Sequence, residues 1–324
     1  MRKIQYSPKN RIPHSREGRE KMAEITAAMV MKLREQTGAA MMLCKEALKE
    51  NGGDSEAATV WIRKKLGNKM TGAADRVAAE GIVAVVVLDS QDAAIVELNS
   101  ETDFVARNDD FKAFAKELAE HIAKSKGHSV ETVLSENSLV EDGKTVNNRL
   151  EDVYTKLREK IVFKRFEFIS TDANGVIAAY VHMPSNDKIG VLVELEAASP
   201  EAAKSDAAAT LGRELAMQIA ASKPKYATRD EVPSKILDQE KEIARDTAKN
   251  EGRPEAAMEK IVEGRIRKFY EEQVLVDQAW LRDPKKSVTS VLKEAGVTLR
   301  RYVRYSVGES AGVDTSGAIK ETVE

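Results

Sequence analysis

A pattern of strand, turn, strand and helix occurs twice in this chain, and it constrains the fold more than any other feature. The β-rich runs GIVAVVVL (81–88) and AAIVELN (93–99) flank the turn DSQD, and an amphipathic helix begins at Asn108. The same order of elements at 176–222 makes that segment a weak internal repeat of 82–124. Apolar runs joined by short polar turns predict antiparallel hairpins, and a helix can cover one face of each sheet. We therefore predict an α+β fold with two related subdomains, each an antiparallel sheet covered by helix.

Further core elements follow from apolar periodicity and from the turn sequences DANG and PSND. They define core subdomains at 76–170 and at 171–230 together with 280–310. The additional predicted elements are a helix that ends near Lys160 after the polar stretch 124–145, a strand at 161–170, strands at 176–183 and 188–197, a helix at 201–222, a helix at 287–296 and a strand at 298–307.

Three short helices are predicted within 22–68, followed by a linker at 69–75. Thr26 can cap the first helix and Asp54 the third, because short polar side chains accept hydrogen bonds from free N–H groups at a helix start. Three helices in about 45 residues bury only a small core, so this segment is typical of an interaction module. One apolar face at four-residue spacing is formed by Ala58, Ile62 and Leu66.

The segment 231–279 predicts an antiparallel helical hairpin. Two charged helices flank NEGRPE, where Gly252 can end the first helix and Pro254 can begin the second. Arms of about eighteen residues at ~1.5 Å each span roughly 27 Å, and their few apolar residues cannot form a core alone. We therefore expect the hairpin to stand off the body. The residues expected to face each other across it are Ile236, Ile243 and Thr247 on one arm and Met258, Ile261, Arg265 and Phe269 on the other.

Charge and hydropathy restrict the classes of partner. With 51 basic and 53 acidic residues, the net charge of −2 gives no global electrostatic case for nucleic acid or an anionic membrane. No apolar run approaches the ~20 residues that span a bilayer. Residues 1–21 are basic without an apolar core, so they do not resemble a secretory signal. We expect them to be disordered or to precede a true start at Met22, and we expect the tail 311–324 to be loose.

Catalytic and metal-binding motifs are absent from the sequence. The four histidines, among them His14, are scattered with no two at a metal-ligand spacing, and we expect His121 and His128 to be solvated. Cys44 is the only cysteine, so no intramolecular disulfide can form; a small buried group on a helix is the main interpretation and a nucleophile the minor one. We predict a protein without enzyme chemistry, cofactor or metal. The basic runs expected to be solvated surface are 63–65, 265–268 and 299–304.

The stretch SETDFVARNDDF (100–111) raises a question that capping alone does not answer. Ser100 and Asp103 have the three-residue spacing of a capping box at a helix start. That spacing does not explain Phe104, a large ring on a turn with no evident core to enter. Two interpretations stay open at this point: Asp103-Phe104 begins a helix, or the turn presents the pair to a partner.

Seven stretches in order resemble one family. They are MAEITAAMVMKLREQTGAAMMLCKEALKENGGD, WIRKKLG, RVAAEGIV, TDFVARN, IGVLVELE, AASKP and IVEGRIRKFYEE, and together they cover about Met22 to Glu309. The chain thereby resembles translation elongation factor Ts. The resemblance implies a guanine nucleotide exchange factor for the GTPase elongation factor Tu in the bacterial cytoplasm. It also implies a ubiquitin-associated-like N-terminal module and a coiled-coil hairpin, through which two copies could pair.

The resemblance further implies which residues contact the partner. In the family, the segment that here comprises Thr102, Asp103, Phe104 and Val105 enters the G domain near its Mg²⁺ site. Phe104 would act as an apolar wedge, and Asp103 would bring a carboxylate that disturbs the surroundings of the metal. We expect Phe104 to contribute more binding energy, since burial of an aromatic side chain is worth roughly a few kcal/mol.

Secondary contacts follow from the same resemblance. Arg34, Met41 and Met42 match family positions that touch the G domain, with the alternative that Met42 is core and Arg34 merely solvated. His182 matches a histidine that faces the far domain of the partner, with a packed strand histidine as the alternative. The sequence departs from the family pattern in the turn 184–187 and where it has Gln218 in place of a common histidine.

Two other classes of function stay open from the sequence. One is a pure adaptor, in which the N-terminal module and the hairpin only tether partners; the Asp103-Phe104 pair argues against it. The other is a ribosome- or RNA-binding protein, against which the charge balance and an aromatic content of 5% both argue.

Overall fold

The computed structural model describes residues 25–37, 39, 41–72, 77–89 and 91–309. The predicted extension 1–21 and tail 311–324 lie outside these residues. The described chain forms two compact units that divide between Gly67 and Asn68.

The first unit contains two helices and most of a third, α3, within which the units divide, and it has a small apolar core. Thr26 Oγ1 accepts a hydrogen bond from Met29 N at 3.3 Å, and Asp54 Oδ1 accepts one from Ala57 N at 3.0 Å, so both predicted caps are confirmed. Cys44 is fully buried, as predicted. The side chain of Leu66 lies outside the described residues. The helices are α1 (Ala27–Thr37), α2 (Met41–Glu50) and α3 (Ser55–Gly72), and the core includes Leu33, Leu48, Ala58 and Ile62.

The second unit is built on two three-stranded antiparallel sheets. The first has the order β1-β2-β3 and the second β4-β5-β8, which confirms the predicted α+β class with antiparallel sheets. A two-stranded hairpin, β6 with β7, lies in a segment where no strand was predicted. The strands are β1 (Glu80–Leu88), β2 (Asp92–Ser100), β3 (Ile161–Ser170), β4 (Gly175–Val181), β5 (Ile189–Ala197), β6 (Ala279–Trp280), β7 (Asp283–Ser287) and β8 (Val297–Ser306).

Helices cover the outer faces of the two sheets, while their inner faces pack together. The apolar layer between the sheets joins residues of both, such as Ile95 on β2 and Leu192 on β5. Side chains of α5 pack in the apolar core on the outer face of the first sheet, and side chains of α9 pack in the corresponding core on the second sheet. The helices of this unit are α4 (Asp103–Ala106), α5 (Asp109–Ser125), α6 (Val130–Ser135), α7 (Val146–Leu157), α8 (Pro200–Ala203), α9 (Asp206–Ser222), α10 (Ser234–Asn250), α11 (Met258–Gln273) and α12 (Val288–Glu294).

The two sheets, and the two helices that follow each central strand, repeat each other. In each half the central strand leads into a four-residue helix and then into a 17-residue helix. A constant separation of 97 positions relates the N-caps of the long helices, Asn108 and Ser205, and also their left-handed C-caps, Lys126 and Lys223. We refer to these as the first half, built on β1-β2-β3, and the second half, built on β4-β5-β8.

A buried glutamate marks the same point in both central strands. The β2–β3 ladder shifts register after Glu97, and the β5–β8 ladder shifts after Glu194. Glu97 accepts hydrogen bonds from Lys164 Nζ at 3.0 Å and Arg165 Nε at 2.7 Å. Glu194 accepts one from Arg301 Nε at 2.7 Å. Each bulge therefore brings cations to a carboxylate that could not otherwise be buried.

The basic run 299–304 is therefore not simply solvated surface, contrary to the prediction. Arg300 and Arg301 contact Glu194, and Arg304, which is only 2% exposed, contacts Glu309 at 2.9 Å. Hydrogen bonds to Glu196 and then Asp172 raise the pKa of Arg300. Glu194 and Glu196 on the neighbouring strand β5 contact Arg300 and Arg301, whereas the acid that contacts Arg304 follows β8 in the chain.

Local polar contacts account for three further differences from the predictions. Helix α6 begins inside the polar stretch 124–145 because Ser129 caps it. The helix predicted at 201–222 is two helices, since Ser205 interrupts it and accepts a hydrogen bond from Ala208 N at 3.2 Å. His121 is buried rather than solvated, with its Nε2 2.6 Å from Glu136 Oε2, whereas His128 is exposed as predicted.

Helices α10 and α11 contact each other on either side of a turn that contains Gly252 at φ +69°. Ion pairs from Arg245 to Glu259 and from Arg265 to Glu240 run in opposite order along the two helices, so these are antiparallel. Ile243 and Thr247 line one groove with Ile261 and Arg265, as the predicted seam requires, but both are exposed and do not form its buried core. Small residues allow the helices to approach closely, and the buried residues of the pair are Ala244, Ala248, Met258 and Val262.

Candidate functional site

The turn after β2 is a single helical turn, α4, with Thr102 as its N-cap. Thr102 is extended at φ −123° and ψ 156°, and its Oγ1 accepts a hydrogen bond from Val105 N at 3.4 Å. The prediction of a cap at Ser100 is wrong: Ser100 ends β2, and its hydroxyl donates to Thr102 O at 2.9 Å. Asn108 caps the following helix through Asp110 N at 2.9 Å, as predicted.

The residues of α4 point in different directions, because successive residues of a helix are rotated by about 100°. Val105 and Ala106 are buried in the core between β1-β2-β3 and α5. Phe104 is 83% exposed, the highest value among the exposed large apolar side chains of the described residues. Asp103 is half-exposed, and its carboxylate accepts a hydrogen bond from Arg107 Nη2 at 2.9 Å. The inward pair anchors the turn, and the outward pair is what the turn presents.

A single exposed apolar side chain is common in soluble proteins and does not by itself mark a site. Phe104 differs because its turn is fixed from outside the helix. The backbone N–H of Thr102 donates to Glu159 Oε2 at 3.0 Å, and its hydroxyl donates to Glu159 Oε1 at 2.7 Å. Beside them, Lys160 N donates to Glu101 Oε1 at 2.7 Å. Sequence reasoning missed Glu159, since it lies 57 positions from Thr102 and no local pattern links the two.

The structure separates the four predicted residues of the turn by role. Thr102 caps the helix and binds Glu159, and Val105 belongs to the core. Asp103 and Phe104 remain as the presented pair. An apolar ring beside a carboxylate can insert between side chains while placing negative charge next to a bound cation.

The predicted contacts on the first unit are accessible. Arg34 is exposed, and Met41 and Met42 are 49% and 75% exposed, so the alternative that Met42 is core is wrong. Met31, which sequence reasoning did not single out, is also exposed, at 57%. Exposed methionines are adaptable contact residues, because the thioether side chain is flexible and polarisable.

His182 lies just after β4 and is half-buried. Its Nδ1 is 2.7 Å from Tyr180 Oη, and its backbone N–H donates to Ile189 O at 2.9 Å. The turn 184–187 that follows is fixed by Asp187, which binds Lys112 Nζ at 2.8 Å and accepts a hydrogen bond from Val83 N at 2.7 Å through its backbone carbonyl.

Gln218 is buried, and its side chain is used inside the second half. Its Oε1 accepts a hydrogen bond from Leu281 N at 3.0 Å, and its Nε2 donates to Ala279 O at 3.0 Å. The side chain therefore ties α9 to the β6–β7 hairpin. A partner cannot reach the Gln218 side chain in this arrangement, so the departure from the family pattern affects internal packing.

The described residues contain neither a metal-binding cluster nor a membrane-spanning helix. No group of three or more His, Cys, Asp or Glu side chains there is arranged to hold a metal ion. No helix in the same part of the chain is long and apolar enough to cross a membrane.

Comparisons with known proteins point in one direction. The family model described as Elongation factor TS matches residues 101–309, a span that begins one residue before Thr102, the N-cap of α4, and ends with the described chain. The protein named Elongation factor Ts from Thermobifida fusca (strain YX) is similar over almost the whole chain. The two are 42% identical over 292 residues, which cover 89% of this chain and 100% of that protein.

Proposed function

This chain belongs to the elongation factor Ts family, and we propose that it is a guanine nucleotide exchange factor for the GTPase elongation factor Tu. It would act in translation in the bacterial cytoplasm, without covalent chemistry and without a cofactor of its own. The observation that carries the proposal is the exposed ring of Phe104 beside Asp103, on a turn that the rest of the fold holds in place.

The mechanism follows from how a GTPase holds its nucleotide. A phosphate-binding loop and Mg²⁺ retain GDP, so spontaneous release is slow. An exchange protein that binds the nucleotide-free GTPase more tightly than the nucleotide-bound GTPase must weaken nucleotide binding by the same ratio. This follows because the coupling between two binding sites is reciprocal. Phe104 loses its exposed surface only when a partner covers it, and burial of an aromatic ring is worth about 2 kcal/mol. The carboxylate of Asp103 would enter the surroundings of the bound Mg²⁺.

Other contacts would extend the interface. Arg34, Met41 and Met42 on the first unit would touch the G domain, and their exposure supports this role. His182 would face the far domain of the GTPase, next to the exposed side chain of Met183. Pairing of two copies through α10 and α11 stays a prediction.

Release of a fluorescent GDP analogue from elongation factor Tu tests the proposal. We expect Phe104→Ala to lower the stimulated rate of GDP release about thirtyfold when the concentration of this protein is limiting. This change corresponds to ~2 kcal/mol of interaction free energy lost with the aromatic ring. The melting temperature should stay unchanged, because the ring is 83% exposed. Absence of stimulation by the wild-type chain would overturn the function, whereas a normal rate for the variant would overturn only the role of Phe104.

The fold supplies a matched control for this variant. Glu201 is the second residue of α8, as Phe104 is the second residue of α4, and it is also exposed. Glu201→Ala should leave release unchanged. A loss as large as that of Phe104→Ala would mean that the assay reports general damage.

A further inference from the structure

We infer that Glu159 is a positioning residue for nucleotide exchange, one that holds the Asp103-Phe104 turn in its active orientation. The inference rests on the proposed function and concerns a residue that acts through its contact with Thr102. Glu159 is half-buried between the end of α7 and the start of β3. Its carboxylate receives both donors of Thr102, the backbone N–H at 3.0 Å and the hydroxyl at 2.7 Å.

The hydroxyl of Thr102 has two tasks, and Glu159 allows both. Because its proton goes to Glu159, the oxygen keeps lone pairs for Val105 N, which donates to it at 3.4 Å. This contact is long for a capping bond, so the cap alone holds the turn weakly. A helix of four residues is also too short to be stable without outside contacts. Glu159 is therefore the strongest polar restraint on the residue that precedes Asp103 and Phe104.

Comparison of the two halves separates this restraint from the needs of the fold. Ser100 pairs with Ile161 in the first half, and Ala197 pairs with Val297 in the second. Counting back two residues from the start of the third strand, the counterpart of Glu159 is Ala295, which has no acceptor side chain.

The second half nevertheless forms the same turn and short helix. Ser199, the counterpart of Thr102, caps α8 by accepting a hydrogen bond from Ala202 N at 3.2 Å. The scaffold thus makes this turn without a carboxylate at the counterpart position of Glu159. Restraint by a carboxylate from outside the short helix is present in the half that exposes a ring, whereas in the second half the Ser199 side chain interacts with the carboxylate of Glu201, inside that helix.

Such a restraint raises the efficiency of exchange by preorganisation. A turn that is mobile in the free protein loses conformational freedom when a partner captures it, and that loss weakens binding. A turn that Glu159 already fixes in the free protein loses little conformational freedom on binding. The path is local, since Glu159 binds Thr102 and the next two residues are the presented pair.

The test is a double-mutant cycle in the GDP release assay. Glu159→Ala removes charge-assisted hydrogen bonding to Thr102. We therefore expect the stimulated rate of GDP release to fall about tenfold when the concentration of this protein is limiting. In a Phe104→Ala background, Glu159→Ala should lower the rate of GDP release less than about twofold, because Glu159 acts by positioning the ring that this background lacks. An equal loss in both backgrounds, or no loss in either, would overturn the inference.

Further measurements keep the outcome interpretable. Amide hydrogen exchange should accelerate at Thr102 and Val105 in Glu159→Ala and stay unchanged in the middle of α5. Unaltered exchange at Thr102 would contradict the restraint even if the wild-type chain failed to stimulate release, so failure of the proposed function is distinguishable. Glu159→Gln, which keeps the shape and one acceptor, should give an intermediate loss, and it replaces the alanine variant if that variant does not fold.

Glu231→Ala is the matched control for loss of a carboxylate that binds the backbone. Glu231 is half-buried and accepts a hydrogen bond from Ala227 N at 2.8 Å and one from Thr228 Oγ1 at 3.4 Å. Its chemistry is that of Glu159, but it lies in another part of the unit. We expect a normal release rate for this variant; a tenfold loss would show that removal of any such carboxylate impairs the assay and would overturn the specific role of Glu159.

Discussion

The two halves of the second unit use one scaffold and display different residues on it. In each half the central strand leads through a polar cap into a four-residue helix and then a 17-residue helix. The second residue of the short helix is the exposed Phe104 in the first half and the exposed Glu201 in the second. The scaffold is therefore indifferent to this side chain, which is free to be chosen for function.

Comparison of the two halves separates structural from functional polar contacts. A contact that occurs in both halves serves the fold, and a contact that occurs in one half serves the function of that half. The buried glutamates, the N-caps and the left-handed C-caps occur in both, so they serve the fold. The contact of Glu159 with Thr102 occurs in one, so it serves what that half presents. An internal repeat thus acts as a built-in control for the assignment of roles.

The largest effect that tests this comparison concerns the buried glutamates. Glu97→Gln would leave Lys164 and Arg165 around a neutral side chain and should lower the free energy of unfolding by about 3 kcal/mol. Glu194→Gln should cost less, because Arg300 also contacts Asp172 and Glu196. Urea unfolding of both variants measures the two values.

This prediction also separates the scaffold from the site. At temperatures where it remains folded, Glu97→Gln should stimulate GDP release normally, because its side chain is fully buried and contacts no residue of the α4 turn. A larger loss of stability for Glu194→Gln than for Glu97→Gln would contradict the proposed sharing of Arg300.

Sequence reasoning predicted those parts of the molecule that depend on local signals. Apolar periodicity and turn residues located β3 at 161–170 and the cap at Asn108, both as observed. Contacts that depend on strand register were out of reach, such as Glu159 with Thr102. The seam between α10 and α11 was partly missed, since the pattern favoured the large Ile243, which is exposed, over small alanines.

A middle-sized effect is expected at the N-caps of the two long helices. Asn108→Ala and Ser205→Ala each remove the acceptor of one helical N–H group, from Asp110 at 2.9 Å and from Ala208 at 3.2 Å. Each should lower the free energy of unfolding by about 1 kcal/mol. Equal losses in thermal or urea unfolding would support equivalent roles. A fall in GDP release for Asn108→Ala alone would show that the cap of α5 also supports the site, and the comparison would need that correction.

The smallest effect concerns the left-handed residues that end α5 and α9. Lys126 and Lys223 adopt φ +56° and +51°, a conformation that glycine adopts without steric cost. Lys223→Gly should raise the free energy of unfolding by about 0.5 kcal/mol, after the extra entropy of glycine in the unfolded chain is subtracted. Lys126→Gly should gain less, because Lys126 Nζ also lies 3.9 Å from Asp92 Oδ2. Lys126→Asn is the control, since asparagine tolerates this conformation and also removes the cation. If both glycine variants are destabilised, contacts of the lysine side chains stabilise the C-terminal ends of α5 and α9. Backbone strain at Lys126 and Lys223 would then not be a feature that the two halves share.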